Sequence, residues 1–381
     1  MASLCLVAGD PSGDAHAASL VDALRRLDAS LTFAGLGGPR MRQAGVELLD
    51  DLTHTAAIGP FDAARHLGHF ARARRRLAER LRAQRPDAVV LVDFGDFNLP
   101  VIAPLAKRAG CKVLYYISPQ LWAWGRFRLQ WVRRYVDRMI VLFKFEEEFY
   151  RRAGVPVTWV GHPLIETARA SVSREQAQQE LGLNPWRKTV GLLPGSREQE
   201  IRRHLPLLLA AAERIAWEMP GVQFLLPKAP HLPGRLFAPL EGRRNELEIV
   251  VCENRMYDGL QVLDGALIAS GTATLEAALF EVPMVVVYRM SWPTYLAARC
   301  VVRVEHIAMA NLIAGRAVVP ECVQRQATPS RIARELVNVL RSPERRAAMQ
   351  EALRKVKAEL GPVGSVDRAA QAVLEELRTC R

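Results

Sequence analysis

Short apolar runs alternate along the chain with longer segments in which apolar residues recur every three or four positions. The runs of strand length lie near 3–8, 32–36, 87–93, 112–117 and 137–142, with helical patterns between them, which is a βα series. A polar segment after Gly161-His162-Pro163 interrupts the series. It resumes at Thr189–Leu193 and continues through runs near 222–226, 247–252, 265–268 and 283–288. From Thr328 onward there are three helical patterns and no strand. This order predicts two doubly wound α/β domains, 1–165 and 166–363, with a final helix, 364–381, that returns to the first.

Composition narrows the class without choosing a chemistry. With 381 residues, half of them hydrophobic, the chain can bury two cores. The apolar start, Met1–Ala8, has no basic leader and runs into Gly9, so it reads as a first strand and predicts a cytoplasmic protein. No stretch approaches the roughly 18 apolar residues that a spanning helix needs, so any membrane contact is expected to be peripheral. Six dispersed cysteines without a C-x-x-C pair fit reduced thiols, and no metal or cofactor is expected. A net charge of +12 points to an anionic partner, whether a phosphorylated substrate, an acidic lipid surface or nucleic acid.

Three segments share one design, a strand ending in a small-residue turn followed by a helix: Ala8–Asp14 (including Ser12, Gly13 and Asp14), Leu193–Arg197 (including Gly195 and Ser196) and Ala269–Thr272 (including Ser270 and Gly271). Free amides and the positive helix end make such turns anion sites, although any βα unit needs small residues there. Three of them in tandem domains favour a phosphorylated ligand in a cleft between the domains. Ser196–Gln199 resembles a capping box and places Arg197 in the first helical turn, where its guanidinium can fork onto a diphosphate; pairing with Glu198 or Glu200 is the plainer alternative. Glu276, one turn beyond Thr272, is placed to accept hydrogen bonds from sugar hydroxyls.

In the first domain the apolar run 88–92 ends at Asp93-Phe94-Gly95-Asp96-Phe97-Asn98. Two acids at the end of a buried strand are candidates for general-base work; Asp96 is the better helix cap and Asp93 the better base. Gly35–Arg40 lacks the third glycine of a dinucleotide fingerprint, so NAD binding is not expected. Between 65 and 85 stand eight arginines, among them Arg72, Arg75 and Arg76, against a single acid, Glu79. With Phe61 and Phe70 they form a basic amphipathic pattern suited to anionic lipid or to a solvated helix face. The Trp122–Tyr135 stretch adds tryptophan and arginine, the residue types of a membrane interface.

These motifs together resemble one family across nearly the whole chain, the lipid-A-disaccharide synthases. The matching pieces include Ala8–Asp14, Asp93-x-x-Asp96-Phe97-Asn98, Ser118-Pro119-x-x-Trp122-Ala123-Trp124, Gly161-His162-Pro163, Leu193–Arg197, Ala269–Glu276 and Asn311–Arg316. The resemblance implies a GT-B fold, with UDP-2,3-diacylglucosamine as donor and 2,3-diacylglucosamine 1-phosphate (lipid X) as acceptor, joined by an inverted β-1,6 linkage. It makes Asp93 the base and Asn311 a second active-site residue. Gly195, Ser196, Arg197, Ser270, Gly271, Thr272 and Glu276 fall on the donor side. Ser12, Gly13, Asp14, Asp96, Asn98, Ser118 and Trp122 fall on the acceptor side. The expected partner besides the substrates is the anionic inner face of the inner membrane, reached through Phe61, Phe70, Arg72, Arg75 and Arg76. Nucleic acid is not expected, and a homodimer is left open.

Overall fold

The computed structural model describes residues 2–53, 67–301 and 304–379. Phe61 and Arg65 lie outside them. The chain divides into two compact units, Met1–Pro163 with Leu360–Arg381, and Leu164–Glu359.

The first unit is built on a parallel sheet of strands β1 (Ser3–Ala8), β2 (Thr32–Gly37), β3 (Glu47–Asp51), β4 (Ala88–Val92), β5 (Lys112–Tyr116), β6 (Arg138–Val141) and β7 (Val157–Trp159), in the order β3-β2-β1-β4-β5-β6-β7. β1 and β4 are buried apolar runs in direct register, Cys5 opposite Val89 and Ala8 opposite Val92, as expected of central strands covered on both faces. On one face lies helix Pro11–Leu27, which buries Leu20, Val21 and Leu24. The last helix, Ser365–Arg378, returns to this unit and packs beside it through Ala369, Ala370 and Val373. Its end is tied to the sheet by Glu376, which receives Lys112 Nζ at 3.0 Å and Arg138 Nε at 2.5 Å. On the other face helix Leu67–Gln84 buries Ala73, Leu77 and Leu81.

The second unit has strands β8 (Thr189–Leu193), β9 (Gln223–Lys228), β10 (Ile249–Glu253), β11 (Gly265–Ala269), β12 (Met284–Tyr288) and β13 (Glu321–Val323), all parallel, in the order β10-β9-β8-β11-β12-β13. Helices Glu198–Glu218 and Pro329–Arg341 pack together over one face.

In each sheet the strand order reverses once: between β1 and β4 in the first, between β8 and β11 in the second. Ligands of open α/β sheets bind outside the carboxyl ends of the strands at such a reversal. Three strands are absent from the hydrophobic pattern, β3, β7 and β13. All three are sheet edges, short and only partly buried, so none required an apolar run. Among the described residues no helix is long and apolar enough to cross a membrane.

Candidate functional site

At the reversal in the first sheet, the chain leaves β4 through two consecutive non-glycine residues in the left-handed region, Asp93 at φ 45° and Phe94 at φ 50°. Such a turn is strained and persists only where the surroundings hold it. They do so from three sides. Asp93 N–H donates to Tyr116 O (3.1 Å), while Asp93 O accepts from the Tyr115 hydroxyl (2.6 Å) and from Asn98 Nδ2 (2.8 Å). Gly9 at the end of β1 completes the cradle, because a Cβ there would lie 2.1 Å from the Phe94 ring. The Asp93 carboxyl is raised to about 6, first by burial, then by the nearby charge of Asp10 and less by Asp96, with the Phe94 amide opposing. A carboxylate with that affinity for protons can act as a general base near neutral pH.

The remaining residues assigned to the acceptor side have different duties. Asp10 caps helix Pro11–Leu27 by accepting from Gly13 N–H (2.5 Å), so the first turn carries its own anion; Ser12 is exposed in that turn. Asp14 is buried and accepts from the amides of Gly38 (2.8 Å), Arg40 (2.9 Å) and Met41 (3.0 Å), which fixes the Gly37-Gly38-Pro39 turn instead of facing a ligand. Asp96 does not cap a helix: Phe94 is the N-cap, and Asp96 points outward to an ion pair with Arg128 at 2.5 Å. Asn98 is fully buried and acts through Asp93 O. It opens a single π turn, Asn98–Ile102. Ser118 is buried against Tyr150 Oη (2.7 Å). Trp122 is likewise buried, its indole donating to Glu146 Oε1 (3.1 Å), and burial pushes that carboxyl up to about 7. The exposed aromatics of this stretch are Trp124 and Phe127, both under the Arg128 guanidinium.

The Arg-rich helix also departs from expectation. Phe70 is half-buried and packs on Phe94 and Phe97, with ring centroids 6.0 and 5.2 Å apart, against the edge of the core. Arg76 is tied to β3 through Leu49 O (3.0 Å) and Asp50 (3.3 Å). Arg72 is exposed, and Arg75 lies 3.7 Å from Glu79.

At the reversal in the second sheet, two turns stand side by side at the ends of β8 and β11. The turn after β8 caps itself one residue later than the sequence suggests. Arg197, not Ser196, is the N-cap of helix Glu198–Glu218, and Glu200 Oε2 accepts from the amides of both Ser196 (2.9 Å) and Arg197 (3.1 Å). Glu200 Oε1 pairs with the exposed Arg197 guanidinium at 3.1 Å. Gly195, at φ 119°, has no room for a side chain, since a Cβ would lie 2.4 Å from Glu200 Oε2. The turn after β11 differs. Gly271 begins helix Thr272–Leu279 with no side-chain cap, and Gly271 and Thr272 are exposed. Of the three turns this is the one whose leading amides are not already held by a carboxylate of the chain itself.

Behind that turn, Ser270 Oγ donates to Ile307 O (3.0 Å), so its hydroxyl supports the loop. Glu321 accepts from the Ile307 and Ala308 amides and from Asn311 Nδ2 (2.8 Å). Asn311 also donates to Val319 O (2.9 Å) and accepts from the amides of Val318 (2.7 Å) and Val319 (2.9 Å). All four hydrogen-bonding positions of its amide are therefore filled by protein, which makes Asn311 a positioning residue for the Ser270 turn. Glu276 is largely buried, its carboxyl raised by burial, and it accepts from the Tyr257 hydroxyl at 3.0 Å. Among the described residues no cluster of histidine, cysteine and acidic side chains is arranged to hold a metal ion.

A model of the lipid-A-disaccharide synthetase family matches residues 4–375. The chain belongs to that family. It is 44% identical over 374 residues to the lipid-A-disaccharide synthase of Geobacter sulfurreducens, covering 98% of this chain and 97% of that one. To the enzyme of Nitrosococcus oceani it is 45% identical over 359 residues, covering 94% and 92%. Solved structures with the same GT-B fold include S. aureus MnaA in complex with UDP (TM-score 0.67, 13% identity, 99% of this chain and 97% of that). Anabaena HepE with UDP and glucose is another (TM-score 0.56, 15% identity, 98% and 99%). At such identities they speak for the fold alone.

Sequence reasoning about this lipid-A-disaccharide synthetase family member missed Tyr257, His204 and Glu321 as site residues, and named Glu200 only as a possible partner of Arg197, a pairing that the structure has. Glu200 was legible as the acid three residues after the true N-cap. His204 had no local signal: it is buried in helix Glu198–Glu218, with Nδ1 3.2 Å from Pro194 O and Nε2 accepting from Arg289 N–H at 3.1 Å. One nitrogen donates and the other accepts, so the ring is neutral, in keeping with a pKa lowered by burial. It fastens the turn after β8 to the end of β12. Glu200 suggests a test of its own. Its carboxylate covers amides and a guanidinium that suit a phosphate, so Glu200→Gln is expected to bind UDP several-fold more tightly in calorimetry. Unchanged or weaker binding would show that the turn after β8 does not receive the diphosphate.

Proposed function

We propose that the chain is an inverting glycosyltransferase that moves 2,3-diacylglucosamine from UDP-2,3-diacylglucosamine to the 6-hydroxyl of lipid X, forming the β-1,6 disaccharide 1-phosphate and UDP. Family membership supports the reaction class. The observation that carries the reading is the chemistry at the two sheet reversals: a half-buried carboxylate of raised pKa at one, and at the other an uncapped helix start after the strand next to the one that ends in the Arg197 turn. In this reading Asp93 takes the proton of the acceptor 6-hydroxyl as its oxygen bonds to the donor anomeric carbon. The bond from that carbon to the UDP oxygen breaks, and the electron pair leaves with the diphosphate. The amides at Gly271 and Thr272, with Arg197, receive the developing charge. Glu276, already oriented by Tyr257, accepts from a hydroxyl of the donor. Asn311 acts through Glu321 and the Ile307–Ala308 backbone, keeping the Ser270 turn in place.

Both lipids carry chains that are costly to expose to water, so the reading includes a peripheral place on the cytoplasmic face of the inner membrane. Arg72 and Arg75 on helix Leu67–Gln84 support it, as do Arg74 and Arg108, which line an open cavity together with Pro100, Val101, Pro104 and Leu105. The test is direct: purified protein, UDP-2,3-diacylglucosamine and lipid X in detergent micelles, with and without EDTA. Disaccharide and UDP should appear in equal amounts and at equal rates in both. Epimerised donor without disaccharide would replace the reading, and restoration of an EDTA-silenced enzyme by magnesium would remove the metal-free account of the leaving group.

A further inference from the structure

Helix Trp292–Val301 begins four residues beyond the end of β12, at the same end of the second sheet as the Ser270 turn. Among the described residues most large apolar side chains are buried, yet Trp292 is 49% exposed and Leu296, one turn later on the same face, 59%. Trp292 meets Tyr295 edge to face, with ring centroids 5.8 Å apart, and the Arg325 guanidinium lies over the Trp292 ring at 5.2 Å. Arg299 is exposed on the same helix, one turn beyond Tyr295. From Arg289 to Val304 the sequence holds three arginines and no acid. Exposed tryptophan and leucine, a tyrosine, and cations on a segment without acids form the combination favoured at the boundary between lipid headgroups and acyl chains.

We infer that the exposed face of helix Trp292–Val301 inserts shallowly into an anionic bilayer, giving the second unit a lipid contact of its own beside the catalytic turn. Trp292 and Leu296 enter the acyl boundary, and Arg299 and Arg325 meet the headgroup phosphates. The apolar part of such a contact persists in salt, whereas one made by arginines alone is screened. A second copy of the chain fits less well, since the arginines of two such faces would oppose one another across a shared interface.

The experiment is vesicle flotation of the full chain and of the Trp292→Ser/Leu296→Ser double variant, with vesicles of phosphatidylethanolamine and phosphatidylglycerol at about 3:1. It is run at low salt and at about 0.5 M, where the Debye length is only about 4 Å. Both side chains are exposed, so the variant should keep the wild-type melting temperature and UDP affinity. It should lose about tenfold or more of the binding that survives high salt. Lipids brominated along their chains should quench wild-type fluorescence more than that of Trp292→Phe. Equal flotation of the two proteins at high salt, with equal quenching, overturns the inference. So does a concentration-dependent dimer that the double variant abolishes while flotation is unchanged, which would mark a self-interface. Because neither readout requires turnover, failure here stays distinct from failure of the proposed reaction.

Discussion

Asp93→Asn is expected to lower turnover by about a hundredfold or more while leaving UDP affinity unchanged, because it removes a positioned base and alters nothing in the second unit. Asparagine has the same shape, and the clamp on Asp93 uses only its backbone, through Tyr115, Tyr116 and Asn98, so the strained turn should survive. Wild-type activity should rise with pH through about 6, the value to which burial and Asp10 raise this carboxyl. The variant should lack that rise. Stability should move the other way. A carboxyl whose proton affinity is higher folded than unfolded binds more protons in the native state between about pH 4 and 6, so stability falls as pH rises through that window. A rise from about 4 to about 6 corresponds to at most about 3 kcal/mol, and partial solvent access reduces this to about 1 to 2 kcal/mol. The neutral amide of Asp93→Asn escapes the penalty, so the inactive variant should be the more stable at pH 7.5 and lose the advantage near pH 4. Near-wild-type turnover in Asp93→Asn, with a large loss in Asp96→Asn, would move the base to Asp96 despite its ion pair with Arg128.

Asn311→Ala should give the largest effect on folding. The side chain is fully buried and makes four hydrogen bonds, three of them to backbone groups that no solvent reaches readily once it is gone. Losing them and leaving the partners unsatisfied costs about 3 to 5 kcal/mol, or about 10 °C in melting temperature for a unit of this size. Glu321 would lose one of its donors, and the Ile307–Ala308 segment that accepts the Ser270 hydroxyl would loosen. UDP affinity should therefore fall together with stability. A variant that melts as the wild type does and loses only turnover would instead place Asn311 in contact with the reacting groups.

The hydrophobic pattern was enough to show two βα series, because central parallel strands are covered on both faces and must be continuous apolar runs. Edge strands carry no such requirement, which is why β3, β7 and β13 left no trace in it. Motifs at strand ends, Asp93 and the Gly-Ser turns among them, were legible because acids and small residues directly after a buried apolar run stand out against the hydrophobic pattern. What the sequence could not distinguish was whether a polar residue faces outward or inward. Asp14, Asn98, Ser118 and Asn311 stand in the same motifs as Asp93, yet each satisfies buried backbone or side-chain partners of the fold. The three turns read alike as strings of small residues, but Asp10 caps the first, Glu200 covers the second, and only the third begins without a side-chain cap. Spacing along the chain determined where strands end and which residues gather there. The direction each side chain takes depends on partners distant in sequence, as with Tyr115 on Asp93 or Glu321 on Asn311, and only tertiary structure brings those within hydrogen-bonding distance.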